Sequence, residues 1–404
     1  MPYELFVALR FLREGRLQTV LIFVGVGVGV AVMVFLTALI DGLQGSLIKN
    51  TLTTQAHVVI RPPEQEARIL APAQGRLLAQ VEKRNQRDRT IDQWPVVLKA
   101  ARGVSGVKAA AVTVAGSAFA TRGSATRSVA LRGVEPEAYT QVIAIEDHLQ
   151  AGQFRLLGTE AVVGTELAKD LGIRVGDKIR IASSDGATDV FLVSGIFDLG
   201  NKDVNQRWVF VSVRAAQTLL GLGSDVSTIE LRVAEPFQAE AISREVAART
   251  GFVGESWMIR NKQLLVALSS QSSSSYMIQF FVVLAVALGI ASVLAVSVVQ
   301  KSREIGILRA TGTPTRSILG IFLIQGGIVG LVGAISGCLL GTGLALFFAS
   351  LATSPDGSPT FPVRLDAQLM LQSSAIALAV GLLAAAIPAR RAARLDPATV
   401  IRSG

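Results

Sequence analysis

The sequence is short of the residues that most chemistry needs. Among 404 residues there is one cysteine, Cys338, and there are two histidines, His57 and His148. A single cysteine cannot form a disulfide within one chain, so an oxidising compartment is permitted and not indicated. Neither histidine has a metal-ligand partner at helical spacing, and each reads as a surface or internally satisfied imidazole. No Gly-Lys pair occurs anywhere, which excludes the GxxxxGK[ST] loop that cradles nucleotide phosphates. HExxH, GxSxG and paired-cysteine metal sites are also missing. The chain is therefore expected to be no enzyme, with no catalytic residues and no cofactor or metal of its own.

Charge is scarce as well. Charged residues make up 17% of the chain against 50% hydrophobic, and mean hydropathy is +0.49, too apolar for a water-soluble protein of this length. The apolar residues fall in blocks, and about 20 of them suffice for a helix to cross the hydrocarbon core. Four blocks qualify, at 17–41, 276–299, 318–350 and 369–388. The first follows Arg10, Arg13 and Arg16 as a signal peptide would. Its apolar run is far longer than the typical core of about 7–15 residues, and no small-x-small cleavage site follows, so it reads as an uncleaved anchor. Gly25, Gly27 and Gly29 imitate a dinucleotide motif in letters only, because they lie inside that span.

Lysine and arginine near the spans set the expected orientation. The 1–16 tail holds Arg10, Arg13 and Arg16; the 300–317 loop holds Lys301, Arg303, Arg309 and Arg316; the 389–404 tail holds Arg390, Arg391, Arg394 and Arg402. The 351–368 loop has only Arg364, balanced by Asp356 and Asp366. Both termini and the 300–317 loop are thus expected in the cytoplasm, and the 42–275 domain on the far side. The net charge of +9 belongs to this topology and not to nucleic-acid binding. The expected fold is an integral membrane α-helical protein with a 1+3 arrangement of spans and a large α/β extracytoplasmic domain inserted after the first.

That domain shows short β-branched runs at 57–60, 110–114, 128–131, 161–163, 178–182, 190–196, 208–211 and 229–233, bounded by Gly, Asp or Ser. Helical stretches at 165–171 and 236–250 end at Gly172 and Gly251. Residues 62–95 read as a loop-rich insertion, and 199–207 (LGNKDVNQR) as a polar excursion, either a solvated hairpin or a projecting partner loop.

Two features exceed what anchoring needs. In 300–316 (QKSREIGILRATGTPTR), a helix carrying Arg303, Glu304, Ile305, Ile307, Leu308 and Arg309 must break at Gly312 and Pro314. It serves either as a positively charged topogenic loop or as a docking knob for a cytoplasmic protein. In the third span, Gly326, Gly330, Gly333, Gly337 and Gly341 form a small-residue stripe containing pairs at i, i+4 spacing, and Gly25 and Gly29 repeat that spacing in the first. Apart from Asp41 at the very end of the first, no charge lies inside the spans, which argues against an ion pathway.

At KSREIGILRATG, FLIQGGIVGLVGAISGCLLG and IPARRAARLDPATVIRSG the sequence resembles the permeases of the FtsX/MacB superfamily of ABC transporters (type VII, mechanotransmission), with an FtsX-like permease domain over 276–397. GIFDLGNKDVNQRWVFVSVRAAQTLL and SWMIRNKQLLVAL are most similar to the lipoprotein-releasing branch, LolC and LolE. The resemblance implies a MacB-like periplasmic domain, a second permease chain and a separate ABC ATP-binding subunit that binds ATP and Mg. Arg303–Gly312 would be the coupling helix seated on that subunit. It further implies a bacterial inner-membrane location, lipoprotein cargo taken from membrane lipid, and a periplasmic lipoprotein carrier. Asn201, Lys202, Asp203, Val204 and Asn205 would form the carrier-contacting loop, although they lack a proline found in such hooks. Alternatives are a MacB-like efflux permease, an FtsX-like signalling permease, and a membrane-anchored receptor without energy coupling.

Overall fold

The computed structural model describes residues 3–63, 90–351, 363 and 365–395. Most of the 62–95 insertion lies outside the described residues, as do Asp356, Arg364 and Arg402. The chain opens with α1 (Tyr3–Glu14) and α2 (Arg16–Thr54), followed by β1 (Val58–Arg61), α3 (Trp94–Arg102), β2 (Val107–Arg122), β3 (Ala125–Val134) and α4 (Pro136–Val142). Next come β4 (Leu149–Gly152), β5 (Glu160–Gly164), α5 (Thr165–Leu171), β6 (Lys178–Ser183), β7 (Thr188–Phe197), α6 (Lys202–Arg207), β8 (Trp208–Ser212) and α7 (Val213–Leu220). β9 (Thr228–Val233), α8 (Ala239–Thr250), β10 (Val253–Ser256) and α9 (Trp257–Arg260) complete the α/β region. The remainder is helical: α10 (Lys262–Gln300), α11 (Ser302–Ala310), α12 (Thr315–Leu351) and α13 (Ala367–Ala393). Two compact units result, one of residues 48–265 and one of residues 1–47 with 266–404.

In the α/β unit, strand composition follows from burial on both faces. Val209 and Val211 of β8 enter one core with Ala161 and Val163 of β5, while Phe210 and Val162 between them enter the other. A strand covered on both sides has no reason to alternate with polar residues, so these runs are continuously apolar. The second core is aromatic. The Phe210 ring lies 5.3 Å from Phe197, 5.7 Å from Tyr139 and Phe154, and 5.9 Å from Trp208. Beside it a buried Arg132–Glu230 ion pair joins β3 to β9, with the guanidinium 4.1 Å over the Trp208 ring. Burial alone would lower the Arg132 pKa, but Glu230 and Tyr139 together outweigh it and raise it.

The sheet closes on itself through its longest strand. One edge of β2 pairs with β9 over Val107–Thr113 and with β6 over Ala118–Thr121, and its other edge pairs with β3. β3 pairs with β8, β8 with β5, β5 with β7 and β7 with β6, so six strands form a ring without a free edge. β1 and β10 extend the sheet from β9, and β4 from β7. The eight strand runs expected from the sequence are all strands; β4 and β10 are additional. Gly172 and Gly251 end α5 and α8 at φ +62° and +74°, a conformation that favours glycine.

In the helical unit, four helices are long and apolar enough to cross a membrane: α2, α10, α12 and α13. α2 and α10 outrun the apolar blocks. α2 continues to Thr54, and α10 begins at Lys262, its serines bonding back to carbonyls such as Leu268 and Ser269. Gln279, the polar interruption of the second block, donates to Thr37 Oγ1 of α2 at 2.9 Å, so its amide is satisfied between helices.

Candidate docking site

Lys301 follows α10, and its backbone at φ −97°, ψ 11° departs from helical geometry, so α11 starts afresh at Ser302. Ile305 is buried with Val298, Ile318, Phe322, Ala389 and Ala392, seating α11 on the ends of its neighbours. Arg303, Glu304 and Ile307 face outward, and Ile307 is 50% exposed. Arg309 donates to the Leu395 carbonyl. The helix stops in a paired C-cap: Gly312 N–H bonds Arg309 O at 3.1 Å and Thr313 N–H bonds Leu308 O at 3.0 Å. Gly312 sits at φ +98°, where a side chain would be strained. Of the expected docking residues, Arg303, Glu304, Ile307 and Gly312 reach solvent, with Leu308 and Arg309 half-buried. Ile305 does not, and its role is corrected from touching a partner to seating the helix.

A second helix braces this one. Lys301 bonds both Glu14 of α1 and Glu304 of α11, the latter at 2.8 Å, and its ammonium lies 5.6 Å from the Phe11 ring centroid. Hydrogen bonds from Lys301 and then Arg10 hold the Glu14 carboxyl below the usual range; Glu14 and then Glu304 hold the Lys301 ammonium above its own. Lys301 entered the sequence reading only as a topological charge. Its bridging position follows from where α1 packs, which local pattern does not reveal.

The glycine stripe of α12 serves two neighbours in turn. A Cβ on Gly330 would lie 2.7 Å from Ala377 O of α13, and Gly326 meets Gly381 and Ala385 of the same helix. Farther along, Gly333 meets Val26 of α2, a Cβ on Gly337 would lie 2.5 Å from Val30 Cβ, and one on Gly341 2.8 Å from Ala31 O. Gly29 meets Val286 of α10. Gly25, expected in the packing set, has open space where its Cβ would stand and meets no helix among the described residues of this chain. Gly27, two residues on and nearly opposite around the helix, is the residue pressed against α12. Gly381 was also missed, because one glycine in an alanine-rich run shows no spacing.

Residues 199–207 are not a hairpin, because β7 and β8 lie on opposite edges of β5. Asn201 caps α6, accepting from Asp203 N at 3.0 Å and Val204 N at 3.3 Å. Asn205 is buried; it accepts from Leu199 N at 3.0 Å and donates to Asp198 Oδ1 at 2.6 Å. It anchors the segment and cannot be presented to a partner, which corrects its place in the contact loop. Asn201, Lys202 and Asp203 are exposed and Val204 half-buried. Among the described residues no cluster of three or more His, Cys, Asp or Glu is arranged to hold a metal ion.

Two family models match the chain: the MacB-like periplasmic core domain over residues 19–249, more than half of it, and the FtsX-like permease C-terminal domain over 276–397. The chain belongs to this FtsX/MacB superfamily and is a permease of the ABC-transporter type, a class that works with an ATP-binding subunit. Within it the chain is LolC-like. It is 25% identical over 343 residues to the lipoprotein-releasing system transmembrane protein LolC of Neisseria meningitidis, covering 78% of this chain and 83% of that one. It is 23% identical to LolC of Haemophilus influenzae over 99% of both chains. The macrolide export ATP-binding/permease protein MacB of Azoarcus is 32% identical over 40% of this chain and 24% of its own length.

Proposed function

We propose that this chain is the membrane subunit of an inner-membrane ABC transporter that extracts lipoproteins and releases them to a periplasmic carrier. It spans the bilayer four times, once before and three times after the α/β unit, with both termini cytoplasmic and that unit in the periplasm. It pairs with a second permease chain. α11 docks on a separate subunit that binds ATP and Mg, through Arg303, Glu304 and Ile307. The reading of the cargo rests on one observation: the alignment with a LolC chain runs end to end, over 99% of both proteins. The matched part of MacB is local and more similar, which supports macrolide-type efflux as the second reading. Of the residues expected to contact a carrier, Asn201, Lys202 and Asp203 are the exposed ones, and they are the ones that would meet it.

One complementation experiment tests this. Cells depleted of the chain are supplied with wild type or with Ile307→Asp, and outer-membrane lipoproteins are followed by membrane fractionation. Depletion and the variant are both expected to strand lipoproteins in the inner membrane, and the variant to lose the ATP-binding subunit on purification. Normal sorting on depletion, with macrolide sensitivity instead, makes efflux the function. Full ATPase retention by Ile307→Asp overturns α11 as the docking element.

A further inference from the structure

α1 has two faces, and protein packing uses one. Val7, Ala8 and Phe11 are buried with Ile318, Ile321 and Phe322 of α12. The rest of the turn carries, in angular order at 100° per residue, Leu9, Arg13, Phe6, Arg10 and Tyr3. Tyr3, Phe6 and Leu9 are 47%, 60% and 43% exposed, and both arginines are exposed. No carboxylate interrupts this arc. Glu14 at its margin is bonded to Lys301 and Arg10, and Glu4 accepts from Ser317 on the packed side.

Those two carboxylates also show how α1 lies. Ser317 is in the first turn of α12, and Lys301 directly follows α10, so both ends of α1 meet the same edge of the helical unit. A helix about 18 Å long that touches one edge at each end runs along that edge and crosses the spans.

At such an edge the arc suits only one environment. Water would leave Phe6 and Leu9 unburied, and hydrocarbon would strand two guanidinium groups. The headgroup layer accepts both: apolar side chains dip to the acyl boundary while guanidiniums pair with phosphate oxygens. Exposed apolar surface also continues from the arc into α2 through Leu17, Val20 and Leu21, 77%, 54% and 62% exposed. We infer that α1 is an interfacial helix whose Tyr3–Phe6–Leu9 arc is seated in the headgroup layer, with Arg10 and Arg13 binding anionic phospholipid. The inference needs the chain to be embedded in a bilayer and is independent of cargo.

The test uses full-length protein with Cys338→Ala and a nitroxide on Phe6→Cys, in phosphatidylethanolamine vesicles with or without phosphatidylglycerol. Electron paramagnetic resonance measures collision with lipid-soluble oxygen and with a water-soluble nickel chelate. A label on Thr311→Cys, just past α11, supplies the aqueous reference. At position 6, oxygen is expected to outweigh nickel, the reverse of position 311, and phosphatidylglycerol to raise the ratio. Arg10→Gln with Arg13→Gln is expected to abolish that rise. Nickel outweighing oxygen at position 6 means a water-facing arc, and weak collision with both means a protein-covered one; either overturns the proposal. A ratio indifferent to phosphatidylglycerol overturns the anionic selectivity. Leu9→Cys, on the same arc, repeats the measurement should Phe6→Cys fail to fold.

Discussion

Phe210 and Gly337 each sit at the centre of a packed interface, and they are opposites in size. Around Phe210, four aromatic rings fill one core of the α/β unit, and the buried Arg132–Glu230 pair lies at its margin. Around Gly337 there is no side chain to fill anything; the backbone of α12 comes close enough for Gly27 and Val30 of α2 to occupy the space. In water, removing large apolar surface from solvent drives the fold. Between helices surrounded by lipid that gain vanishes, and close backbone approach supplies dispersion contacts in its place. The α/β unit should thus be hurt by shrinking side chains and the helical unit by enlarging them.

The largest test of that contrast is Phe210→Ala. Its cavity is expected to cost about 3–5 kcal/mol, read by denaturation followed through tryptophan fluorescence. All three tryptophans, Trp94, Trp208 and Trp257, lie in residues 48–265, so the signal belongs to that unit. An equal loss in the helical unit, followed by detergent titration and circular dichroism, would break the contrast. Gly337→Ala comes next. The added methyl must displace Val30, at about 1–3 kcal/mol. Gly25→Ala meets nothing and gains helix propensity, so it is expected to be neutral or slightly stabilising. Equal penalties at positions 25 and 337 would mean that α2 presents a different face to α12.

The same contrast explains what could be read in the sequence. Strands buried on both faces announce themselves as apolar runs, and 161–163 and 208–211 were legible for that reason. The break at Gly312 was legible because Gly and Pro act locally. The helical parts of α10 around Ser269–Ser274 were not, since a serine run lacks apolar periodicity and hides its helicity in back-bonds to carbonyls. The direction of a glycine is equally hidden: Gly25 and Gly29 share a spacing, yet the contact to α12 falls on Gly27. α6 was missed because its cap and anchor, Asn201 and Asn205, are polar residues that look like loop. Ile305 was misassigned because an exposed and a buried isoleucine differ only in what packs over them.

The smallest effect is a pH dependence confined to one unit. Both histidines lie in the α/β unit, and His57 is buried, its Nδ1 accepting the Val233 N–H at 3.3 Å. Burial holds its imidazole below the ordinary value. An unfolded histidine titrates near 6.5, so as pH falls the unfolded chain takes up a proton before the folded one does. The stability that His57 contributes is therefore complete above about pH 7 and is lost as pH falls toward its folded value, by at most about 1.4 kcal/mol per pH unit. Denaturation followed by tryptophan fluorescence should weaken between pH 7 and pH 5, and His57→Gln should flatten that slope. The helical unit contains no histidine, and the Glu14 carboxyl at its edge titrates below the usual range, so its detergent midpoint should hold steady over the same interval. A parallel fall in both units would show that acid acts through something they share; a fall in the α/β unit alone ties it to the imbalance between one buried imidazole and a helical unit without any.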